Sequence, residues 1–451
     1  MSANLGFETI GNATLTAFDS GKPILTTDPW VEGSPYFGSW GHGYEIPSTQ
    51  RENIYNSKYM WISHGHPDHL DSLSIEQFKD TVFLVPDHYG NRIYDGMIAE
   101  GFNAQILASN EWLQLSPNIR VKNFADWNQD AVLLVAIGND DIIVNLNDGR
   151  ALGWSRQIKK EIKSFSNRFL LKLCGWGDSD MINYYDIDGN FVQPPAALKP
   201  PVGKMYDASM VEWNCNFTIP FSSSHRYQRT DSLHINEFAT PLKDHYEGFD
   251  GQTGELLPAF ISWESETKSY TELKPKKLDK ISLSPEEFGD NWSDQLEAQD
   301  VKLITNYFGQ IEHLKTWLGN VHFQVGGVRN TIKLSDKNSE IIFKTPRNSL
   351  ITAINYEIFD DLLIGNFMKT TLINVDGFGN RFTPYVTKYA DNGLAKSHHQ
   401  LKSYFKAYHQ KSGFNYLTDR FMFKSEDVFR KFISPDTKLY QIAKPLKNAF
   451  R

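Results

Sequence analysis

Four residues that can bind a metal stand within a span of six, at His64, His66, Asp68 and His69. They follow the apolar run 59–63, which is typical of a buried strand. Two histidines at positions i and i+2 just past a strand can point their imidazoles at one ion, and Asp68 and His69 can then reach a second ion nearby. Nitrogen and carboxylate donors of this kind suit Zn²⁺, Mn²⁺ or iron. The run therefore predicts a metal centre rather than a histidine-rich surface loop.

The elements that must position this run are strands separated by short helices. A hairpin is predicted over 14–27, and short helices are expected over 72–78 and 90–102. Because strands outnumber helices, the pattern indicates an α/β or α+β layered protein rather than a helical bundle. Further strands are predicted over 59–63, 81–86, 119–124, 131–137 and 141–146.

A change of composition divides the chain. Residues 264–290 are rich in Glu, Lys, Ser and Pro, which is typical of a boundary. Ser284 and Glu287 have the form of a capping box, and they predict a long helix that runs towards Trp317. We expect a metal-binding domain over 1–265, a linker over 266–284 and a C-terminal α+β accessory or substrate domain over 285–451.

The composition narrows the function classes. The 451 residues carry 46 Lys and Arg against 54 Asp and Glu, and the net charge of −8 argues against a protein that grips nucleic acid. Two cysteines exclude a disulfide framework and a four-cysteine zinc module. No apolar stretch approaches the ~18 residues that a membrane span needs, and no signal peptide is evident. We expect a cytoplasmic protein with a small-molecule substrate and no nucleic-acid or membrane partner, and a homo-oligomer stays open.

The run at 64–69 resembles the metal-binding motif of the metallo-β-lactamase superfamily. The preceding hairpin is also similar, from Ile10-Gly11 at its start to Asp28-Pro29 at its end. The resemblance covers the segment 5–260 and implies an αββα sandwich with a dinuclear site at one edge of the two sheets. It also implies three further ligands downstream: a His on the first ion, an Asp that bridges both ions and a His on the second.

Two of these downstream ligands have clear candidates. Asp148 ends the apolar run that begins at Asp141, so the resemblance makes it the bridging carboxylate, and the alternative is a turn residue before Gly149. His225 is the only histidine between Asp148 and residue 233, and it would be the last ligand. Asp68 and Asp148 are the carboxylates to which the resemblance gives a catalytic role.

The remaining His of the family is absent. Between His69 and His225 the only histidine is His88, which lies too early in the chain. Asp126 is the first choice to replace it and Asp130 is the second. The implied ligands of the first ion are then His64, His66 and Asp126, and those of the second are Asp68, His69 and His225, with Asp148 as the bridge.

One branch of the superfamily is more similar than the rest. Residues 222–232 resemble the corresponding stretch of the CMP-N-acetylneuraminate hydroxylase-like branch, as do 30–40 and 359–367. That branch adds a Rieske iron–sulfur domain, whose motif needs two Cys and two His, and here both cysteines lie after residue 170. The resemblance therefore transfers neither a sialic-acid substrate nor a built-in electron supply. A carboxylate in place of the third His is also similar to lactamase-fold hydroxylases of the chloramphenicol pathway, which hold two irons.

Two chemistries fit these ligands. The favoured hypothesis is a non-haem di-iron oxygenase, or hydroxylase, that acts on a small polar metabolite and takes electrons from an external donor. The alternative is a Zn or Mn hydrolase of a phosphodiester, lactone or amide, in which the ions lower the pKa of a bound water. A binding protein with a degenerate site is a second alternative.

Candidate substrate contacts follow His225 directly. They are Arg226, Tyr227 and Arg229. The two arginines either clamp a substrate carboxylate or phosphate, or they form salt bridges that steady the His225 loop.

Overall fold

The computed structural model describes residues 3–78, 80–175, 183–193 and 201–420. The strands, numbered β1 to β21 in chain order, are Gly6–Ile10, Thr14–Asp19, Lys22–Thr27, Trp40–His42, Tyr59–Trp61, Val82–Pro86, Ala104–Leu107, Trp112–Gln114, Ile119–Ala125, Ala131–Ile137, Asp141–Asn147, Asn167–Lys172, Phe217–Pro220, His225–Tyr227, Glu255–Leu256, Ile261–Glu264, Ser269–Glu272, Asn320–Val325, Val328–Lys333, Glu340–Lys344 and Lys369–Ile373.

The helices alternate with these strands and are mostly short. The α-helices, α1 to α11, are Ser48–Tyr55, Ser72–Ile75, Arg92–Ala99, Ser155–Glu161, Val202–Trp213, Ala298–Gln310, Glu312–Lys315, Arg347–Asn355, Phe359–Ile364, Phe378–Arg381 and His398–Ser412. Short 3₁₀ segments are Ile162–Ser164, Leu233–Glu237, Leu242–Tyr246 and Pro285–Phe288, and Pro384–Asn392 is a π-helix.

Two large sheets form the first part of the molecule. The first has eight strands in the order β17-β16-β1-β2-β3-β5-β6-β7, and the second has seven in the order β15-β13-β12-β11-β10-β9-β8. The predicted hairpin is β2 and β3, which pair antiparallel from Thr16 opposite Thr26 to Asp19 opposite Lys22. The other predicted strands correspond to β5, β6, β9, β10 and β11.

The two sheets pack face to face between outer layers of helices. Their shared core contains Phe7 and Trp61 from the first sheet and Leu133 and Phe169 from the second. A second cluster covers the outer face of the first sheet with side chains of α1 and α3. A third covers the outer face of the second sheet with side chains of α4 and α5. The layers are therefore helix, sheet, sheet, helix, as the resemblance implies.

The C-terminal part has its own sheet and core. Four strands lie in the order β19-β18-β20-β21. Their apolar side chains pack with those of α6 to α10 and of the π-helix, and Phe323, Phe343 and Phe359 lie at the centre of this core. The part is α+β, and the domain division of the chain stays a prediction.

The long helix expected from Ser284 to Trp317 is wrong. The capping box at Ser284 and Glu287 does form, but it opens only the 3₁₀ turn Pro285–Phe288. Gly289 then takes a left-handed φ of 81°, which ends the turn, and the next helix begins at Ala298. Near the end of the described residues, α11 spans 398–412, and residues 414–420 are also helical.

The predicted linker over 266–284 contains structure. The segment 269–272 is the edge strand β17 of the first sheet. Farther along, the Leu278 N–H donates to Gly43 O at 2.9 Å, and the Thr230 N–H donates to Leu283 O at 2.9 Å. The segment therefore runs beside the loops that lead to His225. Within the described ranges, none of the helices is long and apolar enough to cross a lipid bilayer.

Candidate metal centre

The metal-binding run leaves the first sheet at the end of β5, between the parallel strands β3 and β6. The Ser63 N–H donates to Asp28 Oδ1 at 2.7 Å, which ties the chain after β5 to the end of β3. Asn147, at the end of β11, donates from Nδ2 to Asp28 Oδ2 at 2.9 Å. Both sheets therefore deliver their strand ends to one place.

Three predicted ligands meet at this edge. Asp148 Oδ2 lies 3.9 Å from His64 Nε2 and 3.5 Å from His69 Nε2. The donor atoms of the three residues all lie within 4.8 Å of one another, and they form the one such group found among the described residues. Donors that each lie about 2.0–2.2 Å from an ion are about 3–4 Å apart, so this group fits a single shared ion.

His69 is oriented by groups behind it. Asn147 Nδ2 and Asp28 Oδ2 lie 3.0 and 3.3 Å from its Nδ1 atom, which leaves Nε2 to face the cluster. Burial alone would lower the pKa of His69, but the carboxylates of Asp68 and Asp28 outweigh burial and hold this pKa well above its ordinary value. Because a metal binds the neutral imidazole, ion binding must release this proton.

Asp68 stands beside the three-residue cluster. Its Oδ2 lies 3.2 Å from His69 Nε2 and accepts from Asn12 Nδ2 at 3.0 Å, and its Oδ1 accepts from the Tyr36 hydroxyl. Burial would raise the pKa of Asp68, but the neighbouring His69 and the Tyr36 hydroxyl lower it to about 2. The carboxylate is therefore ionised at neutral pH, with both oxygens held.

His66 is engaged on both ring nitrogens. Its Nδ1 lies 2.7 Å from His64 Nε2, so the two predicted ligands of the first ion face each other. Its Nε2 lies 2.8 Å from Oδ2 of Asp360, a buried carboxylate on α9 of the C-terminal part. Sequence reasoning gave Asp360 no role, although the similarity noted over 359–367 pointed to this stretch.

Asp126 lies at the expected place, directly after β9, but both of its carboxylate oxygens accept hydrogen bonds from backbone N–H groups. Its Oδ1 accepts from the Asn128 N–H at 2.7 Å, and its Oδ2 accepts from the Leu152 N–H at 3.2 Å. Burial and the nearby Asp130 raise the pKa of Asp126 to about 7. Among the described residues, neither carboxylate belongs to the cluster of His64, His69 and Asp148. The replacement of the missing His by either one stays a prediction.

A buried lysine that sequence reasoning missed lies among these acids. Lys388, on the π-helix, places Nζ 3.7 Å from Asp360 Oδ2 and 3.9 Å from Asp130 Oδ1. Burial would lower its pKa, but Asp130, Asp360, Asp148 and Asp126 together raise it. No local pattern in the sequence marks this residue, because its contact with Asp130 joins positions more than 200 residues apart.

His225 lies on a two-stranded ribbon in which β14 pairs antiparallel with β4. Its ring stacks on Trp40, with ring centroids 3.4 Å apart and an interplanar angle of 4°. Burial lowers the pKa of His225 to about 3 despite the charge of Asp68, so the ring is neutral, as a ligand must be. His225 lies outside the group of three, and its role as a ligand stays a prediction.

An open cavity of about 250 Å³ lies against His225. Arg226, Lys277 and Lys280 line it, and no acidic side chain stands among its described lining residues. Arg226 donates from Nη1 to the Asp279 carbonyl, and its side chain is only partly buried. The cavity therefore presents positive charge.

The other two predicted substrate contacts, Arg229 and Tyr227, direct their polar groups to other protein side chains. Arg229 is fully buried and pairs with Asp231 at 2.9 Å and with Asp290 at 2.7 Å, which matches the salt-bridge alternative for this residue. The Tyr227 hydroxyl accepts from Asn366 Nδ2 at 2.9 Å, although the residue also borders the cavity. Of the three candidates, Arg226 is the one whose charge borders the cavity.

Comparison with known proteins gives short matches. No protein-family model matches the chain. The cytidine monophosphate-N-acetylneuraminic acid hydroxylase of Sus scrofa is 26% identical over 106 residues, which cover 22% of this chain and 24% of that protein. The Asterias rubens protein of the same name is 26% identical over 118 residues, which cover 26% of this chain and 17% of that protein. The chain thus spans about a quarter or less of the curated relatives that it matches.

Similar solved structures include an isothiocyanate hydrolase from Delia radicum gut bacteria, with 13% identity and a TM-score of 0.36 over 56% of this chain and 96% of that one. A variant of the CmlA β-hydroxylase has 13% identity and a TM-score of 0.31 over 48% of this chain and 45% of that one.

Two face-to-face sheets between helical layers, with the His-x-His-x-Asp-His run at their shared edge, give the chain the αββα fold of the metallo-β-lactamases. The fold and the cluster of His64, His69 and Asp148 support a metal-dependent enzyme.

Proposed function

We propose that the chain is a non-haem iron oxygenase in which His64, His69 and Asp148 hold the iron. The observation that carries this proposal is the set of two histidines and one carboxylate, whose donor atoms all lie within 4.8 Å of one another. Two histidines and one carboxylate with open positions are the ligands that non-haem Fe(II) oxygenases use. The absence of the family's third His agrees with this choice over a hydrolytic zinc pair.

Bound iron would supply oxygen activation, and the protein would position the substrate. One oxygen atom enters a C–H or N–H bond of the substrate, and the other leaves as water, which consumes two electrons and two protons. The sequence contains no Rieske motif, so we propose that an external electron donor supplies the two electrons.

The neighbouring carboxylates have separate roles in this proposal. Asp148 binds the ion directly, through the oxygen that faces His64 and His69. Asp68 is ionised and fixed by Tyr36 and Asn12, so it would hold His69 in place and would be a proton acceptor beside a bound ion.

The cavity beside His225 suggests the class of substrate. Arg226, Lys277 and Lys280 line it, and its volume of about 250 Å³ suits a small molecule. We propose a small polar metabolite with a carboxylate or phosphate that contacts these cations.

The proposal is tested by loading the purified chain with Fe(II) without oxygen, then adding air and a chemical reductant. We expect bound iron and oxygen uptake that depends on the reductant. His69→Ala and Asp148→Ala should each lose at least nine-tenths of the iron, because each removes one of three donors. His399→Ala is the matched control, since His399 is exposed on α11 and should keep the iron. Equal iron in all four proteins would contradict the proposal.

A metal-dependent hydrolase is the second candidate. It is favoured by Asp68, an ionised carboxylate 3.2 Å from His69 Nε2, which is placed to orient a water beside a zinc ion. A colourless protein that binds zinc in preference to iron and cleaves phosphodiester, lactone or amide substrates would support this candidate over the oxygenase.

A further inference from the structure

We infer that the Lys388 ammonium takes the place of the first metal ion, so that the centre holds one ion, at His64, His69 and Asp148. This inference rests on the proposed function, because it concerns how many ions the same centre holds. It departs from the two ions that the sequence predicts. Two features of the structure point to it: the hydrogen bonds of the predicted first-ion donors, and the position of the lysine.

Two predicted donors of the first ion, His66 and Asp126, are committed to protein groups. His64 Nε2 and His66 Nδ1 lie 2.7 Å apart, closer than the about 3 Å or more expected of two donors on one ion. The remaining nitrogen of His66 lies 2.8 Å from Asp360. Both oxygens of Asp126 accept backbone N–H groups. While Lys388 holds Asp360 against His66, this donor set therefore does not fit a second ion.

Lys388 supplies positive charge beside the predicted donors of that ion. Its side chain is only 15% exposed, and its Nζ is within 4 Å of carboxylate oxygens of Asp130 and Asp360. The Asp360 oxygen nearest to Nζ is the same atom that meets His66. A buried ammonium requires such partners, and a divalent cation beside it would be repelled.

The lysine is held rigidly in this place. The π-helix that carries it is anchored by Asp391, which accepts from the Tyr307 hydroxyl at 2.7 Å and from the Phe359 N–H at 3.2 Å. Asp360 directly follows Phe359, so Lys388 and its partner carboxylate belong to one packed unit. Segments of π-helix are rare and are often found at functional sites.

The test is metal stoichiometry by native mass spectrometry, with graded Fe(II) under anaerobic conditions and separately with Zn²⁺. We expect one ion per chain in the wild type and in Lys388→Arg, which keeps the charge. Lys388→Met leaves Asp130 and Asp360 buried without their cation, so it should take up a second divalent ion and gain thermal stability when that ion is added. Lys333→Met, at an exposed lysine, is the matched control and should stay at one ion.

Two ions in the wild type would overturn the inference and leave the proposed function standing. A folded Lys388→Met protein that stays at one ion would also overturn it. If Lys388→Met does not fold, the number of ions bound per chain by the wild type and by Lys388→Arg still tests the inference. A wild type that binds neither metal would overturn the proposed function instead.

Discussion

Asp28 and Asn147 contact the Nδ1 atom of His69, and these contacts orient the ring so that Nε2 can bind an ion. We expect Asp28→Asn to weaken metal binding by about 10–100-fold, the usual cost of removing a group that orients a ligand. Competition with a chelator would measure the affinity. Asp336→Asn, at an exposed carboxylate, should leave the affinity unchanged. An unchanged affinity in Asp28→Asn would show that His69 is not a ligand or needs no support.

Asp126 gives a prediction about pH. Burial and Asp130 raise its pKa from 3.8 to about 7. Between these values the folded chain keeps a proton that the unfolded chain has released, so the free energy of unfolding of the metal-free protein falls as pH rises through this window. Asp126→Asn should flatten the fall, because asparagine does not titrate, and should keep the bound ion. Urea denaturation at several pH values and a metal assay would check both. Loss of the ion would establish Asp126 as a ligand.

The residues that sequence reasoning found and missed differ in one physical respect. His64, Asp68 and His69 are neighbours in the chain, so one strand end places them together and their spacing reveals the site. Asp360 and Lys388 reach the same place only because the C-terminal part packs against the first. A single sequence carries no local signal for such a contact.

At the scale of elements, the ribbon of β4 and β14 positions His225. A Cβ on Gly43 would lie 2.1 Å from the Ser224 carbonyl oxygen, so the ribbon requires glycine there. We expect Gly43→Ala to destabilise the fold by about 1–3 kcal/mol through this overlap. In Gly96→Ala, on α3, the new Cβ has open space, and the free energy of unfolding should rise by about 0.5–1 kcal/mol. Chemical denaturation compares the two, and equal effects would contradict the account of the ribbon.

Elements with a strong local pattern were predictable. The strands β2, β3, β5, β6 and β9 to β11 follow from apolar runs and turn residues, and the shared edge of the sheets places Asp148 near His69. The long helix was not predictable, because Gly289 ends the turn that the capping box opens. The ribbon was also missed, since its strands are only three residues long and pair across more than 180 positions.

At the scale of the whole molecule, buried contacts join the C-terminal part to the metal-binding part. Arg229 pairs with Asp290 at 2.7 Å, with both side chains fully buried. Arg229→Met would leave Asp290 charged and without this partner, and we expect a loss of about 3–5 kcal/mol in the free energy of unfolding, in a single transition. Lys333→Met removes only an exposed pair and should cost about 1 kcal/mol or less. Equal losses in calorimetry or denaturation would contradict this account.

The most direct test of the central claim is anomalous diffraction from crystals of the metal-loaded protein, recorded at the iron and zinc absorption edges. We expect one iron peak among His64 Nε2, His69 Nε2 and Asp148 Oδ2, with the Lys388 ammonium beside Asp360 and Asp130. A second peak between His64 and His66, or a peak that belongs to zinc in protein offered both metals, would contradict it.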